Sequence, residues 1–153
     1  MEIYVDADAC PVKAEVVKVA DRHGLTVHMV SNAYMGLPKG HDVRRKIVPG
    51  DPDAADHWIA ANIQPGDICV TADIPLADRC LKAGAGALGP TGKPFTHAAI
   101  GAALATREIL THLREMGAME GGGKTFTPKD RSRFLNELEQ LIQSHYRTHG
   151  KPQ

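Results

Sequence analysis

Residues 2–24, EIYVDADACPVKAEVVKVADRHG, join a short apolar run to a helical one through a segment carrying two carboxylates, Asp6 and Asp8. The run IYV is apolar and β-branched enough for a short buried strand. The following CPVKAEVVKVADRHG reads as a helix with Pro11 in its first turn and Gly24 as its stop. The acids therefore fall where a strand ends and a helix begins. Like charges that close raise each other's cost of ionisation, and the penalty grows where solvent is excluded. A bound cation, or a proton held by one of the pair, offsets it, and both answers point toward chemistry.

Working outward, the same alternation repeats. Residues 25–31 (LTVHMVS) read as a second strand, 32–42 as a loop, and 43–49 (VRRKIVP) as a third strand. Residues 50–66 carry a helix signal in which Asp51 can cap and Pro52 fits the first turn, with Gly66 closing the next turn. Residues 67–73 (DICVTAD) form a fourth strand ending at Asp73, 74–84 a helix, and 85–90 a fifth strand. Strands alternating with helices favour an α/β fold with a mostly parallel sheet and functional groups at the carboxyl ends of strands.

Beyond residue 96 the pattern is helical, from about 97 to 116 and again from 128 to 146. TPKD opens the last helix: Thr127 can cap, Pro128 can occupy the first turn, and Asp130 can accept toward the cap. The glycine-rich linker 117–125 is short, so the last helix is expected to pack on one domain spanning 1–150, with 151–153 as a frayed tail.

The 153 residues suit one core. No apolar run approaches the ~20 residues needed to span a bilayer, and the N-terminal residues lack the basic and apolar regions of a signal peptide. The expectation is a cytoplasmic protein without membrane partners. Cys10, Cys69 and Cys80 are odd in number and form no CxxC pair, which argues for reduced thiols. Eighteen basic residues balance eighteen acidic ones, so there is no overall basic excess of the kind that coats nucleic acid. Charge is nevertheless segregated: KGHDVRRK (39–46) and the region of Lys124, Lys129 and Arg131 are basic, whereas 6–8, 51–56 and 67–78 are acidic.

Asp53 and Asp56, three apart, can share a helix face, and Asp73 repeats the strand-end placement of Asp6. If strands one and four are neighbours, these acids converge. Oxygen ligands without a Cys or His cluster suit Mg²⁺ or Mn²⁺. For any single Asp, capping or turn formation is the simpler reading. The set Asp6, Asp8, Asp53, Asp56 and Asp73 together favours a metal site. Arg44, Arg45 and Lys46 would then attract a substrate backbone, Thr71 or Ser31 would hold a phosphate oxygen, and Lys124 would reach a phosphate from its loop.

Other motifs are weaker. VDADAC resembles the opening of haloacid dehalogenase phosphatases, but their GD follows a strand, and here Asp67 precedes the apolar run. EGGGKT falls short of a phosphate loop, because Ala118 replaces its first glycine and a helix precedes it. Cys10 has no base beside it and two acids nearby, so it reads as a small residue at a tight junction. His145 and His149 read as solvated surface in a frayed end, and Trp58 as core. Tyr34 and Met35, before the basic run, are candidates for ligand contact.

VDADACPVK, VPGDPDAADHWI, GDICVTADIPLA and GGGKTFTPKDRSRFLNEL, in that order over nearly the whole chain, resemble the YaiI/YqxD family of uncharacterised bacterial proteins, grouped with PIN-like domains. The resemblance implies a three-layer α/β/α PIN-like fold with C-terminal helices, and no established activity. Related PIN nucleases hold Mg²⁺ or Mn²⁺ with acids at the end of the first strand, within a middle helix and at the end of the fourth strand. By position these are similar to Asp6, Asp56 and Asp73, with Asp8 and Asp53 as accessory acids and Asp78 as a weaker match. Two readings follow: a metal-dependent ribonuclease cleaving RNA with catalytic Asp6, Asp56 and Asp73, or a PIN-like module that binds RNA or a protein without cleaving. The sequence leaves the oligomeric state open, a homo-oligomer included.

Overall fold

The computed structural model describes residues 1–102, 105 and 126–149. Five strands, β1 (Glu2–Asp6), β2 (Thr26–Ser31), β3 (Val43–Ile47), β4 (Ile68–Val70) and β5 (Gly86–Leu88), form one parallel sheet in the order β3-β2-β1-β4-β5. The chain builds outward from β1 to β3, then returns and continues on the other side of β1 with β4. The reversal lies between β1 and β4, where open α/β sheets leave a crevice at the carboxyl ends.

Side-chain alternation sorts the two faces. Ile3, Val5, Val27, Met29, Ile68, Val70 and Leu88 pack with helix α1 (Lys13–His23) and the C-terminal helix α4 (Pro128–His149). Tyr4, Val30 and Cys69 face the other way, against α2 (Ala54–Asn62) and α3 (Ile74–Lys82). The result is the three-layer α/β/α arrangement. Residues 97–102 are helical, with Thr96 Oγ1 accepting from Ala99 N–H at 3.0 Å, and Ile100 packs with Ala77 and Ala87. The crossover from β2 to β3 has no helix; Met35 and Leu37 pack against the core beside α1 in its place.

Element boundaries differ from the sequence reading, most tellingly around the acids. α1 starts at Lys13, because Cys10 precedes Pro11 and is extended (φ −100°, ψ 114°), after a 3₁₀ turn at Ala7–Ala9. α2 starts at Ala54; Asp51 instead makes a turn, accepting from Asp53 N–H through Oδ1 at 2.8 Å. β4 stops at Val70, and Asp73 lies beyond it as the N-cap of α3, accepting from Leu76 N–H at 2.8 Å.

α4 carries Phe134, Leu138 and Ile142, one stripe at four-residue spacing, all fully buried. Its start is the capping box expected from TPKD: Thr127 Oγ1 accepts from Asp130 N–H at 3.2 Å, and Asp130 Oδ2 accepts from Thr127 N–H at 3.0 Å. The helix also runs further than expected. His145 is not a solvated end; its Nδ1–H donates to the Gly66 carbonyl at 2.8 Å, and its ring passes where a side chain on Gly86 would stand. Ion pairs join α4 to α1: His23 and Arg22 to Glu139 at 2.8 and 3.5 Å, and Arg131 to Glu15 at 3.0 Å.

Truncating Phe134 to Ala should lower stability by about 3–5 kcal/mol, and Thr127→Ala by about 1 kcal/mol. Equilibrium urea unfolding reads both; unchanged midpoints would mean that α4 does not close this face of the sheet.

Candidate functional site

The reversal between β1 and β4 places Asp6 beside the segment that leads into α3. Thr71, only 2% exposed, follows β4 directly. Its Oγ–H donates to Asp6 Oδ2 at 3.0 Å, and the same oxygen accepts from Asp73 N–H at 3.0 Å. One hydroxyl thus fixes both the β1 carboxylate and the start of α3. Asp6, the fourth residue of an alternating run, lies on the same face as Tyr4, toward α2 and α3.

Asp56 comes from the first turn of α2, the third element. Its carboxyl is pushed up to about 6, first by partial burial and then by the charges of Asp6, Asp73 and Asp53. The Asp6 carboxyl is also raised: burial leads, Asp73 and Asp8 add to it, and the Thr71 hydrogen bond opposes them. Asp56 therefore feels Asp6 and Asp73, and Asp6 feels Asp73. The Asp73 Oδ1 is occupied by its cap, and the Asp6 Oδ2 by Thr71.

The remaining acids stand further out. Asp8, exposed in the 3₁₀ turn, accepts from Asn32 N–H at 3.0 Å and so ties that turn to the end of β2. Asp53 is the exposed cap residue of α2, without a side-chain cap bond. Asp78 pairs with Lys82 at 2.9 Å on the same helix. Asp67, buried at the opposite end of β4, accepts from Glu2 N–H and Gln64 N–H at 2.9 Å each, a structural clamp between β1 and β4.

Among the described residues no group of three or more His, Cys, Asp or Glu side chains is close enough together to enclose a metal ion. A hard cation held by one or two carboxylates, waters and substrate phosphates needs no such enclosure, and any one or two of Asp6, Asp56 and Asp73 would have the oxygen ligands it requires.

The residues expected to contact substrate have the following partners within the protein. The Thr71 hydroxyl is committed to Asp6 and Asp73, and the Ser31 hydroxyl, also buried, donates to the Ala33 carbonyl at 2.8 Å. Each hydroxyl thus donates its one proton within the protein. Arg44, Arg45 and Lys46 lie on the exposed edge strand β3, where strand alternation splits them between faces. Arg44 pairs with Asp42 at 3.1 Å. Arg45 lies 4.4 Å from the Tyr34 ring centroid and donates to the Met35 carbonyl at 3.2 Å. Lys46 lies over Trp58, 5.6 Å from its ring centroid. Trp58 is half-buried and packs on the core cluster of Tyr4, Val30 and Ile59, tilted against Tyr4 and His28. Tyr34 is 73% exposed, and Met35 packs on the core. Lys124 and the EGGGKT segment lie outside the described residues.

Cys10, Cys69 and Cys80 are free and buried. Burial pushes the Cys10 thiol up, opposite to the shift a reactive thiolate needs. The Cys69 thiol is raised well above its usual value by the neighbouring Cys80 and by burial.

The sequence reading missed His57 and Arg79. They face each other across α2 and α3, with Arg79 Nη1–H donating to His57 Nδ1 at 2.9 Å. The available signal was spacing: His57 follows Asp56 and lies four residues from Asp53, and Arg79 lies six residues after Asp73.

Residues 4–144 match the model of a family described as "Uncharacterized BCR, YaiI/YqxD family". The chain is 59% identical over 145 residues to a UPF0178 protein of Rhodospirillum rubrum, covering 94% of this chain and 97% of that one. It is 58% identical over 144 residues to a UPF0178 protein of Parvibaculum lavamentivorans, covering 94% of each. A third relative, from Azorhizobium caulinodans, is 54% identical over 140 residues, covering 92% of this chain and 88% of the other. No solved structure matches. The chain belongs to the YaiI/YqxD family.

Because the folded Asp56 carboxyl binds its proton more tightly than the unfolded one, stability falls as pH rises from 3.8 through about 6. Asp56→Asn removes that loss. In metal-free buffer above pH 6 the variant should be more stable than wild type by about 1 kcal/mol, discounted because the side chain is partly open to water. Below the unfolded value of 3.8 the difference should vanish. Thermal unfolding across this pH range checks it; a pH-independent difference would contradict the origin assigned to the shift.

Proposed function

We propose that this YaiI/YqxD-family chain is a phosphodiesterase of the ribonuclease kind, working with Mg²⁺ or Mn²⁺ held by Asp6, Asp56 and Asp73. The observation that carries the reading is that Asp6 on β1 and Asp73 at the cap of α3 lie near enough to Asp56 on α2 for their charges to act on its carboxyl, in an open rather than an enclosing arrangement. Partial burial first, and then the charges of Asp6 and Asp73, raise Asp56 to about 6, and a divalent cation relieves the charge repulsion. The resemblance to PIN nucleases, whose acids occupy the same places in the chain, supports it.

When bound, such an ion lowers the pKa of a coordinated water and stabilises the negative charge that develops as a phosphodiester is cleaved. The chain's own residues position and tune. Thr71 holds one oxygen of Asp6, and Leu76 N–H holds one oxygen of Asp73, so each presents its other oxygen. Asp8 and Asp53 act at longer range through their charge on Asp6 and Asp56. RNA is the proposed partner, with Lys46 and Arg44 on the face of β3 that also carries the acids.

One observation favours a second reading. The lack of an enclosing three-side-chain set among the described residues suits a module that binds RNA or a protein without cleaving it.

Asp6→Asn and Asp73→Asn distinguish the two readings. Asparagine still accepts from Thr71 and still caps a helix, so both variants should fold. Titration calorimetry in chelator-stripped buffer should show Mn²⁺ binding to wild type that Asp6→Asn removes. Cleavage of a labelled single-stranded RNA should fall by about 100-fold or more in either variant, the scale of losing one charge-stabilising group. Metal-dependent cleavage retained in both variants would overturn the site. Wild type that binds RNA but neither binds Mn²⁺ nor cleaves would establish the second reading.

A further inference from the structure

Between α2 and α3 lies an open cleft of about 560 Å³, lined by Asp53, Asp56 and His57 on one side and by Asp73, Leu76 and Arg79 on the other. The spacing explains who faces inward: 53, 56 and 57 share one helical face, as do 76 and 79. The cleft is bipolar. Aspartates gather where α2 and α3 begin, and a cation sits on the same wall further along α3.

The partner chosen by that cation is informative. Arg22, Arg44, Lys82 and Arg131 each pair with a carboxylate. Arg79 shares its cleft with three aspartates, yet among the described residues it forms no ion pair. It donates instead to His57 Nδ1 at 2.9 Å. A guanidinium can only donate, so Nδ1 is the acceptor and the ring proton belongs on Nε2. The contact orients the guanidinium without neutralising it. Five N–H donors in a planar fork match two oxygens of a phosphate, and a single bond to His57 leaves most of that fork available.

An anion alone would be repelled from the aspartate end, and a cation alone from the Arg79 end. A ligand that satisfies both carries phosphate groups with an associated divalent cation.

We propose that Arg79, oriented by His57, binds a backbone phosphate of an RNA strand lying along the cleft, next to the phosphate that a divalent cation at Asp6, Asp56 and Asp73 would hold. This assignment deepens the phosphodiesterase reading and rests on it for the identity of the neighbouring phosphate. His57 is a positioning residue here, acting through Arg79.

The test uses the full chain, a short fluorescent single-stranded oligoribonucleotide and inorganic phosphate as probes, and Arg79→Gln and Arg79→Lys. Glutamine keeps a donor for His57 and loses the charge; lysine keeps the charge and loses the fork. Anisotropy is read as a function of salt with Mg²⁺ present, and the RNA is checked for integrity after each titration. Arg79→Gln should weaken RNA binding roughly tenfold, the scale of one charge-assisted hydrogen bond. It should also reduce the slope of log affinity against log salt by about 0.7, the value for one phosphate contact on a single strand. Arg79→Lys should keep the slope and lose part of the affinity. A merely structural tie between α2 and α3 would leave the slope unchanged.

Wild-type affinity and slope in Arg79→Gln would overturn the proposal, as would wild type that binds no RNA. Arg79-dependent binding of inorganic phosphate with RNA binding unaffected would overturn the nucleic-acid assignment. Mn²⁺ calorimetry keeps the two readings apart. Wild type that binds no Mn²⁺ but shows the Arg79 effect on RNA defeats the phosphodiesterase reading alone. Mn²⁺ binding with RNA binding indifferent to Arg79 defeats this one alone.

Discussion

The hydroxyl of Thr71 bridges the carboxyl ends of β1 and β4, donating to Asp6 and accepting from the backbone of Asp73. It sits at the one place where the winding of the sheet reverses, so the strand pairing and the placement of α3 meet in a single buried group. A buried hydroxyl needs partners, and here both partners carry or position carboxylates. Asp67 performs the matching task at the other end of the same strand pair, through two backbone amides. β4 is thereby fastened to β1 at both ends, although only three residues form the strand.

That fastening sets the electrostatics. With Asp6 held on the α2–α3 side of the sheet and Asp73 held at the start of α3, the first turn of α2 places Asp56 where partial burial, and then the charges of those acids, raise its carboxyl to about 6. A fold selected only for stability would gain by replacing one of these acids. Their presence together, in a cleft that also holds a cation tied to a histidine, is what the proposed role in binding charged ligands rests on. The edge strand adds basic groups, but alternation divides them: Arg44 and Lys46 lie on the side of the acids, and Arg45 on the other, against Tyr34.

Much of this was legible in the residues, because the strong signals are local and periodic. The alternation of strand and helix patterns, the capping box at Thr127 and Asp130, the helix stop at Gly24 and the position of Asp6 at a strand end need only short-range rules. The differences arise where one local rule overrides another. Pro11 was read as a first-turn residue, yet its effect on Cys10 delays the helix to Lys13. Asp51 was read as a cap, yet its side chain closes a turn two residues earlier. Long-range groups were the least visible: Thr71 as a bridge between Asp6 and Asp73, His145 anchored on Gly66, and the Arg79–His57 contact all join residues whose meeting is decided by topology.

The most direct test of the account is a carbon-detected NMR titration of the aspartate side-chain carboxyls, run with and without Mg²⁺. The account predicts that Asp56 titrates near pH 6 without the ion. With saturating Mg²⁺ its midpoint should fall by about one unit or more, because an adjacent cation favours the charged form. An Asp56 that titrates in the ordinary carboxylate range and ignores Mg²⁺ would contradict the claim that these three acids form one charged centre.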